Sequence, residues 1–193
     1  MLNFRSATFI KSATLKKDRP NKNLKEVLFV GRSNVGKSSL INALCDNKSL
    51  CFTSSKPGHT RLLNYFEIKD TLYLVDAPGY GYSKAGGRHD ELFGAMMEDY
   101  FAENDNLSLI VFLMDSRREV REEEKDLLNF FNEENIPYVI TFTKADKLNQ
   151  SEKAKAMKEV HKLSSSNNAD IIFTSINNKN SIEELKKYIS NHI

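Results

Sequence analysis

Gly31-Arg32-Ser33-Asn34-Val35-Gly36-Lys37-Ser38 is the stretch that decides the fold of this 193-residue chain. It fits the pattern G-x-x-x-x-G-K-[ST] and lies between a predicted strand at 26–30 and a predicted helix at 37–45, the context that a phosphate-binding loop requires. The glycines let the backbone curl so that successive N–H groups point at phosphate oxygens, and the start of the helix adds partial positive charge. We expect Lys37 to reach the β- and γ-phosphates, the Ser38 hydroxyl to bind Mg²⁺, and Ser39 to lie beside them.

The rest of the chain alternates apolar runs with helical patterns. The sequence predicts strands at 26–30, 63–68, 71–75, 107–114, 138–142 and 170–174, and helices at 37–45, 91–102, 118–132, 151–163 and 181–189. Strands without hydrophobic alternation, separated by helices, indicate a mostly parallel sheet with helices on both faces. We therefore predict an α/β fold: a doubly wound P-loop domain over 23–193 with one antiparallel edge strand, preceded by a basic segment, 1–22. Its ligands should lie at the carboxyl ends of the strands.

Composition excludes several classes of protein. The longest apolar run, Leu107 to Met114, has eight residues, too few to span a membrane. The basic N-terminal residues lack the apolar core of a secretory signal. Cys45 and Cys51 have no partner pair, and no histidine falls at metal-ligand spacing, which argues against a disulfide or zinc scaffold. We expect a cytoplasmic protein without a membrane partner, and a monomer by default.

Charge is unevenly distributed along the chain. Residues 1–40 hold nine Lys and Arg against Asp18 and Glu26, a balance of +7, whereas the other 153 residues carry −5. This asymmetry is typical of a polyanion-binding segment, and equally of a solvated basic tail.

Asp76-Ala77-Pro78-Gly79 follows the second strand of the predicted hairpin. A carboxylate at that position can hold a water on Mg²⁺, and the Gly79 N–H can meet a γ-phosphate oxygen. Alone the pattern is a common turn. Downstream of a phosphate-binding loop, it predicts the second element of a nucleotide site.

Thr143-Lys144-Ala145-Asp146 follows the strand at 138–142. The Asp146 carboxylate can accept two hydrogen bonds from the guanine N1–H and exocyclic amine, a donor pair that adenine lacks, while the Lys144 stem lies over the ring. Losing two such bonds costs about 3 kcal/mol or more, so this element favours GTP over ATP. Phe173-Thr174-Ser175, at the end of the last strand, could lend backbone N–H groups to the guanine oxygen.

A switch segment is predicted between the phosphate-binding loop and Asp76. One Thr in the run 54–61 could close onto Mg²⁺ when the γ-phosphate is present. We select Thr60, although Thr53, Ser54 and Ser55 compete on position alone.

With these elements in this order, the chain resembles the EngB (YihA/YsxC) family of bacterial ribosome-assembly GTPases. The resemblance rests on GRSNVGKSSLINAL at Gly31–Leu44, Pro57-Gly58-His59-Thr60, DAPGYGY at Asp76–Tyr82 and TKADK at Thr143–Lys147. It extends from about Phe4 to the C-terminus. It implies a GTP switch that assists assembly of the large ribosomal subunit, with rRNA and ribosomal proteins as partners, and that is needed for normal cell division and septation.

The resemblance also implies site roles. Gly58, His59, Thr60, Arg61 and Leu62 would line the nucleotide, with Thr60 as second Mg²⁺ ligand, and Phe173 to Ser175 would close over guanine. The catalytic groups would be Lys37, Thr60 and Gly79. The chain departs from the family pattern at three positions: Ala77 replaces the usual Leu, Thr174 a Ser, and His59 a common Arg.

Tyr80 follows Gly79 where many small GTPases carry a Gln that orients the attacking water. We therefore expect slow intrinsic GTP hydrolysis. Since switch segments are commonly exposed, Tyr80 and Tyr82 could stack on RNA bases or a protein partner. In related GTPases an Asn at this place in the phosphate-binding loop helps to bind K⁺ beside the β- and γ-phosphates. Asn34 could do the same, or is only a loop residue that tolerates a strained backbone.

Two other functions compete. The first is a P-loop kinase or ATPase, against which Thr143–Asp146 argues. The second is an RNA- or protein-binding scaffold with a structural nucleotide that hardly turns over, which Tyr80 keeps open.

Overall fold

A computed structural model describes residues 2–51, 62–81, 88–102, 104–163 and 169–193. In these ranges a single sheet contains β1 (Ala7–Ala13), β2 (Lys25–Gly31), β3 (Leu63–Ile68), β4 (Leu72–Asp76), β5 (Leu107–Asp115), β6 (Tyr138–Thr143) and β7 (Asp170–Phe173). Their spatial order is β1-β3-β4-β2-β5-β6-β7. β3 runs antiparallel to both neighbours, and the other four pairs are parallel. The predicted α/β class is confirmed.

The helices of the described residues are α1 (Lys37–Leu44), α2 (Arg88–Phe101), α3 (Glu122–Glu133), α4 (Gln150–Leu163) and α5 (Lys179–Asn191). One apolar core lies under α1 and α5, with members such as Ile41 and Leu185. The other core lies under α2, α3 and α4. Both sheet faces are therefore covered, as the continuous apolar strands predict. No helix in the described ranges has the length and apolar character of a membrane span.

Strand β1 is the main element absent from our prediction. It pairs with β3, so the antiparallel strand lies second from the edge rather than at the edge, and residues of the segment 1–22 belong to the sheet. Its run ATFIKSA lacks a continuous apolar pattern because most of its side chains are exposed. The register shifts between Phe9 and Lys11, a bulge of the kind that is common at sheet edges. Backbone pairing, not side-chain burial, defines this strand.

Helix α3 begins at Glu122, later than the predicted 118. Residues 115–118 instead form a turn closed by the Arg118 N–H, which donates to the Asp115 carbonyl at 3.0 Å. The Glu124 carboxylate then accepts from the Arg121 N–H at 2.8 Å and caps the helix. The parallel strands have their carboxyl ends on the same side of the sheet, where the predicted motifs meet. These strands are β2, β4, β5, β6 and β7.

Candidate nucleotide-binding site

The phosphate-binding loop joins β2 to α1, as predicted. Gly36 precedes the helix with φ of 106°, a left-handed value that side chains other than glycine rarely adopt. Asn34 also has positive φ, at 65°, consistent with its interpretation as a residue that tolerates a strained loop. The Val35 N–H donates to the Arg32 carbonyl at 3.1 Å and closes the turn. Ser38 lies in the first turn of α1, where the helix N-terminus favours anions.

Lys37 and Asp76 form a buried ion pair at the centre of the site. Lys37 Nζ donates to Asp76 Oδ1, and the two side chains are 8% and 2% exposed. The pair forms because β4 lies beside β2, with Asp76 opposite Phe29. The ion pair therefore brings together two predicted site residues. Lys37 is predicted to bind phosphate, and Asp76 is predicted to hold a water on Mg²⁺.

The turn after Asp76 packs directly against the phosphate-binding loop. The Ser33 N–H donates to the Tyr80 carbonyl at 3.0 Å, and Ser33 Oγ donates to the Gly79 carbonyl at 3.2 Å. A Cβ on Gly79 would lie 2.8 Å from Ser33 Cα, so a larger residue cannot occupy this position without moving the backbone. Glycine is required at position 79 because its backbone lies so close to Ser33 of the phosphate-binding loop.

Tyr80 is buried, so the expectation that it is exposed is wrong for this residue. Its side chain is 5% exposed, and its ring packs against Phe93 with centroids 5.9 Å apart. Burial and the nearby Glu124 carboxylate raise the pKa of the Tyr80 phenol. The ring fills the core under α2 and α3, where it can neither stack on RNA nor orient water. Tyr82 lies outside the described residues.

The Arg32 side chain leads away from the phosphate-binding loop. Its Nη2 donates to the Gly81 carbonyl at 3.4 Å, and its Nη1 lies 3.7 Å from Glu123 Oε2. Arg32 can therefore contribute its backbone to the nucleotide site while its guanidinium joins the turn after Asp76 to α3.

The base-side loop is bonded to the phosphate-binding loop. Thr143 Oγ1 donates to the Val35 carbonyl at 2.7 Å in a buried contact. Lys144 has φ of 59°, and its Nζ donates to the Asn34 carbonyl at 3.1 Å and to Asp115 Oδ2 at 2.8 Å. The lysine stem is thus held across the phosphate-binding loop, the position from which it can cover a base.

The loop after β7 completes this side of the site. The Ala145 N–H donates to the Thr174 carbonyl at 3.0 Å, and Thr174 and Ser175 are buried. A hydrogen bond from Ser175 lowers the pKa of Asp146. The carboxylate therefore stays ionised, the state that accepts two donors from guanine. Its side chain remains 28% exposed, so it is accessible to a ligand. Phe173 stacks on Phe142, with centroids 5.1 Å apart.

Our sequence reasoning missed Asp115 and Arg117. Asp115 ends β5, and Arg117 Nε and Nη2 donate to its two oxygens at 2.9 and 2.8 Å. Burial alone would raise the pKa of Asp115, but the hydrogen bonds from Arg117 and Lys144 outweigh it and hold that pKa well below its usual range. The sequence did contain one indication of Asp115. A carboxylate at the carboxyl end of a central strand lies where ligands bind in a sheet of this kind.

Four predicted nucleotide contacts lie outside the described residues: Gly58, His59, Thr60 and Arg61. So do the competing residues Thr53, Ser54 and Ser55. The assignment of Thr60 as Mg²⁺ ligand and catalytic group therefore stays a prediction. Leu62 is described, with an exposed side chain directly before β3.

The donors present suit Mg²⁺. Ser38 and Asp76 supply a hydroxyl and a carboxylate, the oxygen ligands that this hard cation takes alongside water and substrate phosphates. Within the described ranges no group of three or more His, Cys, Asp or Glu could hold a metal by itself. A metal here would thus depend on the nucleotide for part of its coordination.

Comparison with known proteins identifies the family. The model of a family described as "50S ribosome-binding GTPase" matches residues 26–144. Proteins named "Probable GTP-binding protein EngB" are similar along most of their length. The one from Desulforapulum autotrophicum is 49% identical over 80% of this chain and 79% of its own. The one from Mesoplasma florum is 41% identical over 96% and 93%.

Solved structures agree on the fold. A crystal structure of a probable GTP-binding protein EngB superposes with a TM-score of 0.69 at 24% identity, covering 86% of this chain and 97% of the other. Era from Aquifex aeolicus, bound to GDP and AlF4⁻, superposes with a TM-score of 0.67 at 26% identity, covering 88% and 57%. Since the motifs, their geometry and the relatives agree, the chain belongs to the EngB family of GTP-binding proteins and is a P-loop GTPase.

Proposed function

We propose that this GTPase is a switch in the assembly of the large ribosomal subunit, which it joins with GTP and leaves after slow, Mg²⁺-dependent hydrolysis to GDP. One observation carries the proposal: the family described as "50S ribosome-binding GTPase" matches 26–144, a range with both phosphate-side motifs and the start of Thr143–Asp146. In this proposal the protein acts as a cytoplasmic monomer. It supports cell division and septation because those processes need assembled ribosomes.

Each nucleotide contact has a chemical role. Lys37 neutralises charge on the β- and γ-phosphates, and the Gly79 N–H binds a γ-phosphate oxygen. Mg²⁺ held by Ser38, Thr60 and, through water, Asp76 supplies charge stabilisation on the phosphates. Asp146 selects guanine. The buried pair of Lys37 with Asp76 supports these roles, since it puts a cation and an acceptor side by side.

The position of Tyr80 supports slow hydrolysis. Its side chain is buried in the core under α2 and α3, so it leaves the attacking water without the orienting group that Gln provides elsewhere. We propose that K⁺ bound near the exposed Asn34 supplies part of the missing stabilisation. Phosphate release should then be faster in K⁺ than in Na⁺ buffer of equal ionic strength, and equal rates would exclude the K⁺ site.

Co-sedimentation with purified large ribosomal subunits tests the switch. The protein should pellet with subunits in a non-hydrolysable GTP analogue and stay in the supernatant with GDP, at one fixed salt concentration because phosphate contacts weaken steeply with salt. Lys37→Met is the matched control: loss of the phosphate contact should abolish the difference between nucleotides. Equal pelleting of the native chain in both nucleotides, or none in either, would refute the switch.

A further inference from the structure

Helix α4 carries the densest group of uncompensated lysines in the described residues. It contains four lysines and one histidine against two glutamates. Lys155, Lys158 and Lys162 are exposed, and no described carboxylate lies within 4.0 Å of their ammonium groups. Their charge is therefore available to a partner.

The cations of residues 1–40, by contrast, are paired in part. Of the nine cations in residues 1–40, five pair with carboxylates elsewhere in the fold. Arg19, for example, lies 3.0 Å from Asp99, and Lys22 contacts both Glu67 and Asp70. The positive surplus of residues 1–40 therefore overstates the free charge there. On α4, by contrast, three exposed lysines without a described carboxylate within 4.0 Å lie close together on one helix.

The three α4 lysines share one side of the helix. Positions 155, 158 and 162 fall within an arc of about 60° and are separated by about 4.5 and 6 Å along the axis. A strand of duplex DNA presents one phosphate per about 3.4 Å of helix rise. A sugar-phosphate backbone therefore carries its charges closely enough for successive lysines to meet phosphates of one strand. Glu152 and Glu159 flank this lysine stripe on one side only. Among the described side chains of α4, Val160 alone is fully buried, so the helix presents most of its surface to solvent.

The polar character of α4 favours RNA over a lipid surface. Insertion into a lipid surface needs a broad apolar face, but among the described side chains of α4 only Met157 is large, apolar and exposed, at 39%. Lys binds phosphate as a point charge, without the fixed two-pronged geometry by which Arg recognises carboxylate and phosphate alike. The stripe contains only Lys, which is appropriate for a sugar-phosphate backbone read without sequence preference.

We propose that the lysine stripe Lys155–Lys158–Lys162 on α4 is a docking surface for the RNA backbone. The inference deepens the proposed function, since it names the face that meets ribosomal RNA. It also assigns the RNA contact to α4, not to the basic N-terminal segment.

Binding of a labelled 20-base-pair RNA duplex, measured over a range of KCl concentrations, tests the stripe. The full chain is compared with a variant carrying Lys155→Gln, Lys158→Gln and Lys162→Gln. The matched control replaces three exposed lysines of residues 1–40, Lys11, Lys17 and Lys25, by Gln and changes net charge equally. Each lost phosphate contact should lower the slope of log K against log salt by about 0.9, so the α4 variant should lose about 2.7 and the control almost nothing. GDP affinity should be unchanged in both variants.

Several results would overturn the proposal: no RNA binding by the native chain, equal slopes in the α4 variant and native chain, or a larger loss in the control. Poly-glutamate that binds as tightly as the duplex at equal salt would indicate an acidic protein partner instead. Co-sedimentation with large subunits separates this failure from that of the proposed function. If the native chain pellets with subunits and the α4 variant pellets equally, with the same salt dependence, the lysine stripe is refuted and the switch is not. If the native chain binds the RNA duplex but does not pellet with subunits, only the switch is refuted.

Discussion

Replacing Asp115 by asparagine tests how the base-covering lysine is held. Asp115 is 6% exposed in its side chain and accepts from Lys144 Nζ at 2.8 Å. Asparagine keeps the size and one acceptor oxygen but removes the charge. A hydrogen bond to a charged acceptor contributes about 1.5–3 kcal/mol and a neutral one about 0.5–1.5 kcal/mol. Since Lys144 is 34% exposed, solvent screens part of this difference, and we expect a loss of about 1 kcal/mol, or about fivefold in GDP affinity.

Titration with a fluorescent GDP analogue measures this change. Arg117→Gln is the matched control, because Arg117 binds the same carboxylate but is half exposed and does not contact Lys144. Its loss should change GDP affinity by less than about twofold. Thermal unfolding of both variants shows whether the fold is retained.

A double-mutant cycle identifies the route of the effect. Lys144→Met keeps the aliphatic stem and removes the ammonium group, so Asp115→Asn should have no further effect on GDP binding in that background. If Asp115→Asn weakens GDP binding equally with and without the Lys144 ammonium, Asp115 does not act by positioning Lys144, and our reasoning is wrong.

Three more predictions concern packing and pH. Thr143→Val leaves the buried Val35 carbonyl without its 2.7 Å hydrogen-bond donor. The free energy of unfolding, measured in urea, should fall by about 1–3 kcal/mol. An unchanged value would mean that the carbonyl finds another donor. Gly79→Ala puts a Cβ 2.8 Å from Ser33 Cα and should weaken GTP-analogue binding more than GDP binding; equal losses in direct titrations would contradict a γ-phosphate role. Burial raises the pKa of Glu26 above its ordinary 4.5. The folded chain therefore binds a proton on the Glu26 carboxylate more tightly than the unfolded chain does. As pH rises through the pKa of the folded state, this contribution to the free energy of unfolding is lost. In thermal melts at pH 5 and pH 8, the Glu26→Gln variant should therefore lose less stability between the two pH values than the native chain. If both chains show the same pH dependence, other groups are responsible for it.

Strands that are buried on both faces were predicted more accurately from the sequence than the exposed edge strand. Strands such as β5 and β6 were predicted to within one residue because a strand covered on both faces reads as a continuous apolar run. The edge strand β1 was not, since most of its side chains are exposed and its pairing uses the backbone. The exposure of Tyr80 was predicted wrongly for the opposite reason. The residues on either side of it, Gly79 and Gly81, are glycines and give no sign of a core, and its ring is buried by packing against residues such as Phe93 on α2.

The sequence by itself determined the fold class, the order of the nucleotide motifs and the choice of guanine. These follow from local chemistry: a glycine-rich turn before a helix binds phosphate, and a carboxylate after a strand can accept the guanine donors. Only the tertiary structure decided that Thr143 bonds to Val35 and that Asp115 holds Lys144, contacts between residues 108 and 29 positions apart. It also decided which cations are neutralised, because an ion pair depends on which carboxylate the fold brings within reach. No composition or charge count contains that distance.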